Sequence, residues 1–434
     1  MRNHRNILLL FVFLGFNLAA QNKLTLQQAI TVAMQQNYDI NIAKVSANIS
    51  ATANSYGNAG FLPSVNFLAA TSRSSYNTIQ EFSSGVLVNR KNALTQNLNS
   101  GVALSWTVFD GMKMFATKDK LEALEAQGQT FLKMEIETMV SKVISLYFDV
   151  VRQQQLIKAS NETMKIYLER EKIARRKLEI GSGSKLDLLQ AIVDLNAQKS
   201  ILLRLNISME SALVSLNQML SKTSTDSYTV EDSIVFDDKL VLSTMKQNAA
   251  AHNQELQYAK RNIDIANYSL RELQSTTLPQ FGVNLNYNFT QTKNQVGLVL
   301  SNQNLGLNAG LSASWNLFNG YKSRTQIKIA RFGIELHNLA YQRAVTGVDA
   351  SMQKSWRSYQ NTIEILKLEE ENIAVAKENA TIALERFRLG TSNTIEFMLA
   401  QKSYEDALTR LVSARYDAKL SEIELLRLQG TLIK

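Results

Sequence analysis

A duplication constrains this chain more than any local propensity does. The stretch Arg175–Asp187, RRKLEIGSGSKLD, interrupts a strongly helical pattern at Gly181, and the pattern resumes at once beyond it. The interruption returns at Glu385–Glu396, ERFRLGTSNTIE, with Gly390 in the place of Gly181. Trp106 and Trp315, Phe109 and Phe318, Gly111 and Gly320, and Gly181 and Gly390 all stand 209 positions apart. The segment from Gly111 to Gly181 therefore has no net insertion relative to its copy, and self-similarity over this distance marks two structural repeats. Each interruption reads as the tip of a helical hairpin.

Upstream of each tryptophan the copies are related by a different offset. Asn37 to Ile40 align with Asn253 to Leu256, and Leu62-Pro63 with Leu278-Pro279, at 216 positions. The two prolines are the only ones in the chain. A proline removes a backbone donor and forces its predecessor into extended geometry, so each marks the end of a helix and the start of a strand. The offsets differ by seven residues, and the difference falls in polar stretches, Arg73 to Asn97 and Gln291 to Asn304. These read as loops that end in solvent, where insertion is tolerated.

After each proline the apolar period is two: Val65, Phe67 and Ala69 in the first copy, and Phe281, Val283, Leu285, Tyr287 and Phe289 in the second. A second strand precedes each tryptophan, with Val102, Leu104 and Val108, and Leu305, Leu307 and Leu311, set against Gly, Ser, Asn, Ala or Thr. One face calls for lipid or core and the other for water. Beyond Asp110-Gly111 and Asn319-Gly320 the period becomes helical. Val143, Val150, Ile157 and Met164 recur every seven residues, as do Met352, Tyr359, Leu366 and Ile373, the spacing of a coiled-coil seam. Gly111 to Gly181 would span about 105 Å as one continuous helix.

The domain plan is thus a signal peptide over 1–20, a first repeat over 21–220, a linker over 221–242 and a second repeat over 243–434. In the first repeat the strands fall at about 63–72 and 98–109, the long helix at 111–180 and the return helix at 184–220. In the second they fall at about 279–290 and 305–318, 320–389 and 393–429. The signal rests on Arg2 and Arg5, the apolar run Ile7 to Leu14, and Ala19-Ala20 before Gln21. The absence of Cys excludes disulfides and an N-terminal lipidated cysteine, so membrane attachment falls to the fold itself. The net charge of +9 includes the two signal arginines, and the basic residues are interspersed with 38 acidic ones, the pattern of a solvated helical surface and not of a nucleic-acid partner.

Strands of roughly ten residues suit an outer membrane, but four of them cannot close, and lipid does not tolerate open edges. A membrane reading therefore requires an oligomer, a trimer giving twelve strands or a dimer giving eight. Trp106 and Trp315, where strand gives way to helix, suit a membrane interface; a soluble β core capped by tryptophan is the other reading.

The order of these features, with Leu-Pro before each first strand, Trp-x-x-Phe-[Asp/Asn]-Gly after each second, and Arg-x-x-x-Gly-x-x-x-x-x-Glu at the turn (complete in the second copy), resembles the TolC-like outer membrane efflux proteins over essentially all of the mature chain. The resemblance implies an α+β membrane protein: a homotrimer whose twelve-stranded β-barrel is continued by a long α-helical coiled-coil barrel. Its function would be an outer-membrane exit duct of a tripartite efflux pump or type I secretion system. Its partners would be outer membrane lipid, a periplasmic adaptor (membrane fusion) protein and an inner-membrane transporter. Ile180, Gly181 and Ser182 with Leu389, Gly390 and Thr391 would meet the adaptor. Asp187 and Glu396, with Phe387, would form the tunnel constriction. Phe387 stands where a tyrosine could bond an acidic partner and Ser392 where an arginine could, so the closed state is expected to rest more on packing than on ionic links. Ser184-x-x-Asp187 and Asn393-x-x-Glu396 also fit capping boxes.

No chemistry competes with this reading. The histidines, His4, His252 and His337, lack ligand spacing. Gly181-Ser182-Gly183-Ser184 lacks the Lys-[Ser/Thr] end of a phosphate loop. No nucleophile–base pair recurs, and neither enzyme nor cofactor is expected. A trimeric adhesive coiled-coil stalk and a soluble periplasmic helical binding module are the alternatives; strands inside each copy count against the first, and repeated amphipathic hairpins against the second. The topology makes a direct prediction in this cysteine-free chain. Ser84→Cys will label with an impermeant maleimide on intact cells and Ser182→Cys will not; the reverse pattern refutes the orientation.

Overall fold

The structure, a computed structural model, describes residues 23–226, 228–231, 233–236 and 240–433. The expected signal peptide and the Asp237-Asp238 pair of the linker lie outside them. The elements in order are β1 (Lys23–Leu24), α1 (Leu26–Gln36), α2 (Tyr38–Ala53), α3 (Tyr56–Ala59), β2 (Ser64–Glu81), β3 (Leu87–Phe109), α4 (Lys113–Glu179), α5 (Lys185–Met219), β4 (Thr229–Val230), α6 (Leu242–His252), α7 (Gln254–Ser275), β5 (Gln280–Asn294), β6 (Ser301–Ser314), α8 (Lys322–Leu389) and α9 (Thr394–Gln429). The chain divides into two compact units: a strand unit, residues 42–135 and 247–351, and a hairpin unit made of the rest. No helix among the described residues is long and apolar enough to cross a membrane.

In the strand unit the sheet is antiparallel in the order β2-β3-β5-β6, which leaves β2 and β6 as edges. β2, β3 and β5 run further than the apolar alternation indicated, and β6, expected at about 305–318, lies four residues earlier and ends at Ser314. Residues 73–81 and 87–96, expected as a loop, are mostly ladder, from Arg73 opposite Gln96 to Glu81 opposite Leu87. A bulge interrupts the ladder where Asn92 takes φ 57 and donates its N–H to Asn77 Oδ1 at 3.0 Å. The true turn is residues 82–86. These polar residues have low strand propensity of their own, and the ladder of the neighbouring strand carries them.

Register separates the two faces cleanly. One carries Val65 and Phe67 on β2, Val102, Leu104 and Trp106 on β3, Phe281 to Phe289 at alternate positions on β5, and Leu305, Leu307 and Leu311 on β6. From Phe281 to Phe289 is about 27 Å along a strand. Two charges, Arg73 and Lys293, stand on this face, both opposite Gln96. The other face carries Ser105, Ala103, Gly101, Asn99 and Asn97 on β3, opposite Asn284, Asn286, Asn288, Thr290 and Thr292 on β5.

Strand turns into helix by the same device in both copies. Gly111 and Met112 (φ 73 and 71) and Gly320 and Tyr321 (φ 65 and 63) form consecutive left-handed pairs. The residue before each pair caps the following helix: Asp110 Oδ1 accepts from Met114 N at 3.1 Å, and Asn319 Oδ1 from Ser323 N at 3.3 Å. This accounts for the [Asp/Asn]-Gly of the repeated motif.

In the hairpin unit, the seven-residue seam is buried over part of its length: Val143 and Val150 of α4 and Met352, Tyr359 and Leu366 of α8 are inside, while Ile157, Met164 and Ile373, nearer the tips, are half-buried. Asn37 breaks the first helical pattern. It ends α1, its Oδ1 accepts from the N–H groups of Asp39 and Ile40, and its Nδ2 donates to Met219 O at 2.9 Å. Its copy Asn253 likewise caps α7. The linker is more than a connection. β4 pairs in parallel with β1, and Tyr228 and Val230 join Leu24, Val143 and Leu216 in one core. Tyr147, fully buried, holds both sides together: its hydroxyl donates to Leu24 O and accepts from Glu231 N, each at 3.0 Å. Tyr147→Phe will cost about 1–3 kcal/mol, seen as a lower thermal midpoint in detergent; an unchanged midpoint would show that water replaces the hydroxyl.

Candidate functional site: the paired hairpin tips

Both tips fold by the same local rules. At the first, Gly181 takes φ +73, its N–H bonds Leu178 O at 3.1 Å and that of Ser182 bonds Lys177 O at 2.9 Å; at the second, Gly390 takes φ +76, with Gly390 N to Phe387 O at 3.2 Å and Thr391 N to Arg386 O at 2.9 Å. This is the Schellman closure, and it needs the left-handed backbone that glycine supplies without penalty. The return helices start on Ser184 and Asn393, whose side chains accept from Asp187 N (3.2 Å) and Glu396 N (2.8 Å). Ser182 and Thr391 turn their hydroxyls back onto Lys177 O and Arg386 O.

Only half of each expected capping box forms, because the two carboxylates have other partners. Asp187 Oδ1 accepts from Thr394 Oγ1 of the second hairpin at 3.0 Å. Glu396 pairs with Arg386 on its own hairpin. The basic residues four positions before each glycine diverge in the same way. Arg386 stays within its hairpin, whereas Lys177 crosses to donate to Phe387 O at 2.8 Å and lies 4.2 Å from the centroid of the Phe387 ring. The copies differ at the partner positions: Thr394 and Phe387 correspond to Lys185 and Leu178, and Leu178 offers no ring face to a cation as Phe387 does to Lys177.

Phe387 is buried within the chain. Its ring is 4% exposed and stacks on Phe397, with centroids 5.3 Å apart and planes 10° apart, above Ala383 and Ala400. The aromatic ring, lacking the polar handle of a tyrosine, is more stable inside the hairpin pair than at a wet surface. The second tip is thus held by packing and also by its own Arg386–Glu396 ion pair, which the sequence did not indicate. Around this core Ile180, Leu186, Leu389 and Ile395 are exposed. Between the tips lies a cleft of about 1050 Å³ bordered by Arg176, Ile180, Ser182, Asp187, Leu389 and Gly390.

Further along the same seam α4 and α9 exchange reciprocal bonds: Tyr167 hydroxyl to Glu405 (3.1 Å) and Tyr404 hydroxyl to Glu162 (3.4 Å). Burial first, then the facing carboxylate, raises both phenols above their ordinary range, so both remain donors.

The two tryptophans, both exposed on the strand unit, also have a structural role. Trp106 Nε1 donates to Phe61 O at 2.9 Å and Trp315 Nε1 to Thr277 O at 3.0 Å. These carbonyls are equivalent positions, each two residues before its proline, so each indole ties the exit of its second strand to the entrance of the first. Among the described residues no three His, Cys, Asp or Glu side chains gather as a metal site.

A family model described as "Outer membrane efflux protein" matches residues 17–222 and 245–431. The chain is 19% identical to the outer membrane efflux protein BepC of Brucella suis over 342 residues, covering 76% of this chain and 72% of that one. It is 19% identical to TolC of Escherichia coli over 352 residues, covering 79% and 71%. Among solved structures it resembles the Campylobacter jejuni CmeC outer membrane channel (TM-score 0.79, 15% identity, 94% of this chain and 86% of that) and the outer-membrane channel OprN (0.77, 16%, 93% and 89%).

Removing the ring under the tips tests how far packing holds them. Phe397→Ala will lose about 3–5 kcal/mol locally, and trypsin will cut within 172–177 and 386–388 faster than in the native protein. Equal cleavage rates would show that the polar links suffice.

Proposed function

This chain belongs to the outer membrane efflux protein family, and from that premise we propose that it is an outer-membrane exit duct formed by three copies. Twelve strands would close a barrel in the membrane, the long helices would continue it as a tunnel across the periplasm, and the tips would meet a periplasmic adaptor supplied by an inner-membrane transporter. The duct is passive and performs no covalent chemistry. The observation that carries the reading is the four-stranded sheet with an apolar outer band and two unpaired edges, β2 and β6, which cannot stay open in lipid.

The duplication indicates what covers those edges. Inside one chain the end of β3 is tightly filled: a Cβ on Gly111 would lie 2.5 Å from Ser275 O, and Phe109 meets Phe281 at 6.1 Å. The copy at the end of β6 is open, with nothing near Gly320 and with Phe318 exposed. The helices repeat the contrast. On α4, Lys120 and Gln127 are covered by Glu272 and Asn262 of α7 (2.8 and 2.7 Å). Their copies on α8 are apolar and exposed, Ile329 and Leu336. The copy of α7 is α2, which exposes Tyr38, Ile42, Val45 and Ile49. A neighbouring copy's β2 and α2 therefore fit against β6 and α8, and repetition closes a ring.

At the tips, six carboxylates from Asp187 and Glu396 would face the tunnel, but the Arg386 beside each Glu396 balances half of them. Single-channel recording from protein that is trimeric by light scattering tests the reading. Current is expected, and either a monomer under mild extraction or a silent trimer refutes it. Asp187→Asn will lower the K⁺/Cl⁻ permeability ratio more than Glu396→Gln does, on the order of twofold, and Arg386→Ala will raise it; equal effects of the two acid variants would remove the charge balance from the account.

A further inference from the structure

The face of the sheet opposite its apolar band carries no charge wherever the strands are paired four abreast. Ser105 lies opposite Asn284, Ala103 opposite Asn286, Gly101 opposite Asn288, and the same run of Asn, Ser, Thr, Gly and Ala continues onto β2 and β6. Leu68 is the one large apolar residue among these positions, and no Asp, Glu, Lys or Arg stands there. The polar side chains bond to one another across the strands. Ser105 Oγ donates to Asn284 Oδ1 (3.1 Å) and Asn284 Nδ2 to Ser312 Oγ (3.4 Å), one row over three strands. Asn97 Nδ2 donates to Ser72 Oγ (3.5 Å) and Thr292 Oγ1 to Asn97 Oδ1 (2.9 Å), a second row. The small positions keep the surface low: a Cβ on Gly101 would run into the Asn288 side chain, which lies across it.

With the apolar band against lipid, this face lines the barrel, and in this the inference rests on the duct reading. We infer that the membrane segment of the duct is a charge-free passage. Its wall offers amide and hydroxyl groups to passing solutes and water but no fixed charge, so it exerts no electrostatic preference. Small cationic, anionic and zwitterionic cargo pass this segment alike, and charge selection is left to the helical part of the chain. The neutrality belongs to this face: the charged residues of the four-abreast region, Arg73 and Lys293, stand on the other side, both opposite Gln96.

Because the chain has no cysteine, local potential can be read from thiol chemistry. Asn286→Cys, in full-length protein reconstituted into zwitterionic vesicles, is reacted with a cationic trimethylammonium-ethyl and an anionic sulfonatoethyl methanethiosulfonate. The ratio of the two rates is expected within about threefold of the ratio for 2-mercaptoethanol, since one unit charge a few ångströms away would shift it further. Adding Ala103→Asp beside that thiol is expected to move the ratio beyond this range toward the cationic reagent, establishing the sensitivity. A ratio displaced by more than about threefold without the added Asp overturns the neutral lining while leaving the duct intact. An Asn286→Cys thiol inert to both reagents, with Leu285→Cys reactive instead, reverses the faces and overturns the duct reading as well.

Discussion

A strand edge in lipid has no water to satisfy its N–H and C=O groups, and this constraint orders everything else in the molecule. The chain supplies a sheet of four strands with edges at β2 and β6, too few to close by itself. In the proposed assembly duplication supplies the solution: the β3–β5 junction inside one chain would serve as the template for a junction between chains. The template extends from backbone to side chains, because Gly111, Phe109, Lys120 and Gln127 find partners within the chain that Gly320, Phe318, Ile329 and Leu336 do not. Between the helices the internal junction uses polar pairs where the exposed copy is apolar, as would suit a surface buried in the proposed assembly.

The second requirement is a change of secondary structure without a loose joint. Each copy meets it with an indole bonded to the carbonyl two residues before proline, a left-handed pair of residues, and an Asp or Asn cap on the helix that follows. The Trp-x-x-Phe-[Asp/Asn]-Gly sequence is thereby a set of constraints on one corner. Exposure of the tryptophans and their structural bonds are compatible, since an indole has one donor to satisfy and a large apolar body.

At the tips duplication has been followed by division of labour. The backbone is the same in both turns, yet Lys177 and Asp187 reach across to the other hairpin while Arg386 and Glu396 pair at home. The exposed Arg386–Glu396 pair contributes little to stability, and the buried Phe387–Phe397 stack contributes more. Holding and charge are separated here: the stacked rings of the second hairpin pack against Ile166 and Ile173 of the first, and the carboxylates remain near the surface.

Periodicity and punctuation made the repeats, the hairpins, the strand-to-helix corners and the buried seam readable in the amino-acid sequence, because these depend on residues close together in the chain. Asn37 at the helix break, Gly181 and Gly390 at the turns, and Ser184 and Asn393 as caps follow from local backbone chemistry alone. What lies far apart in sequence was decided only in three dimensions. The outer halves of β2 and β3 have no strong strand propensity and take their conformation from the neighbouring ladder. Tyr147 joins Leu24 to Glu231 across segments with no shared pattern. Phe387 withdraws from the surface because Phe397 is placed to stack on it, and Asp187 leaves the capping box because Thr394 is within reach. The sequence by itself determined the elements and their order, since hydrophobic period and turn chemistry act locally; tertiary structure decided the partners, since a side chain's bond depends on which distant group packing brings within about 3 Å.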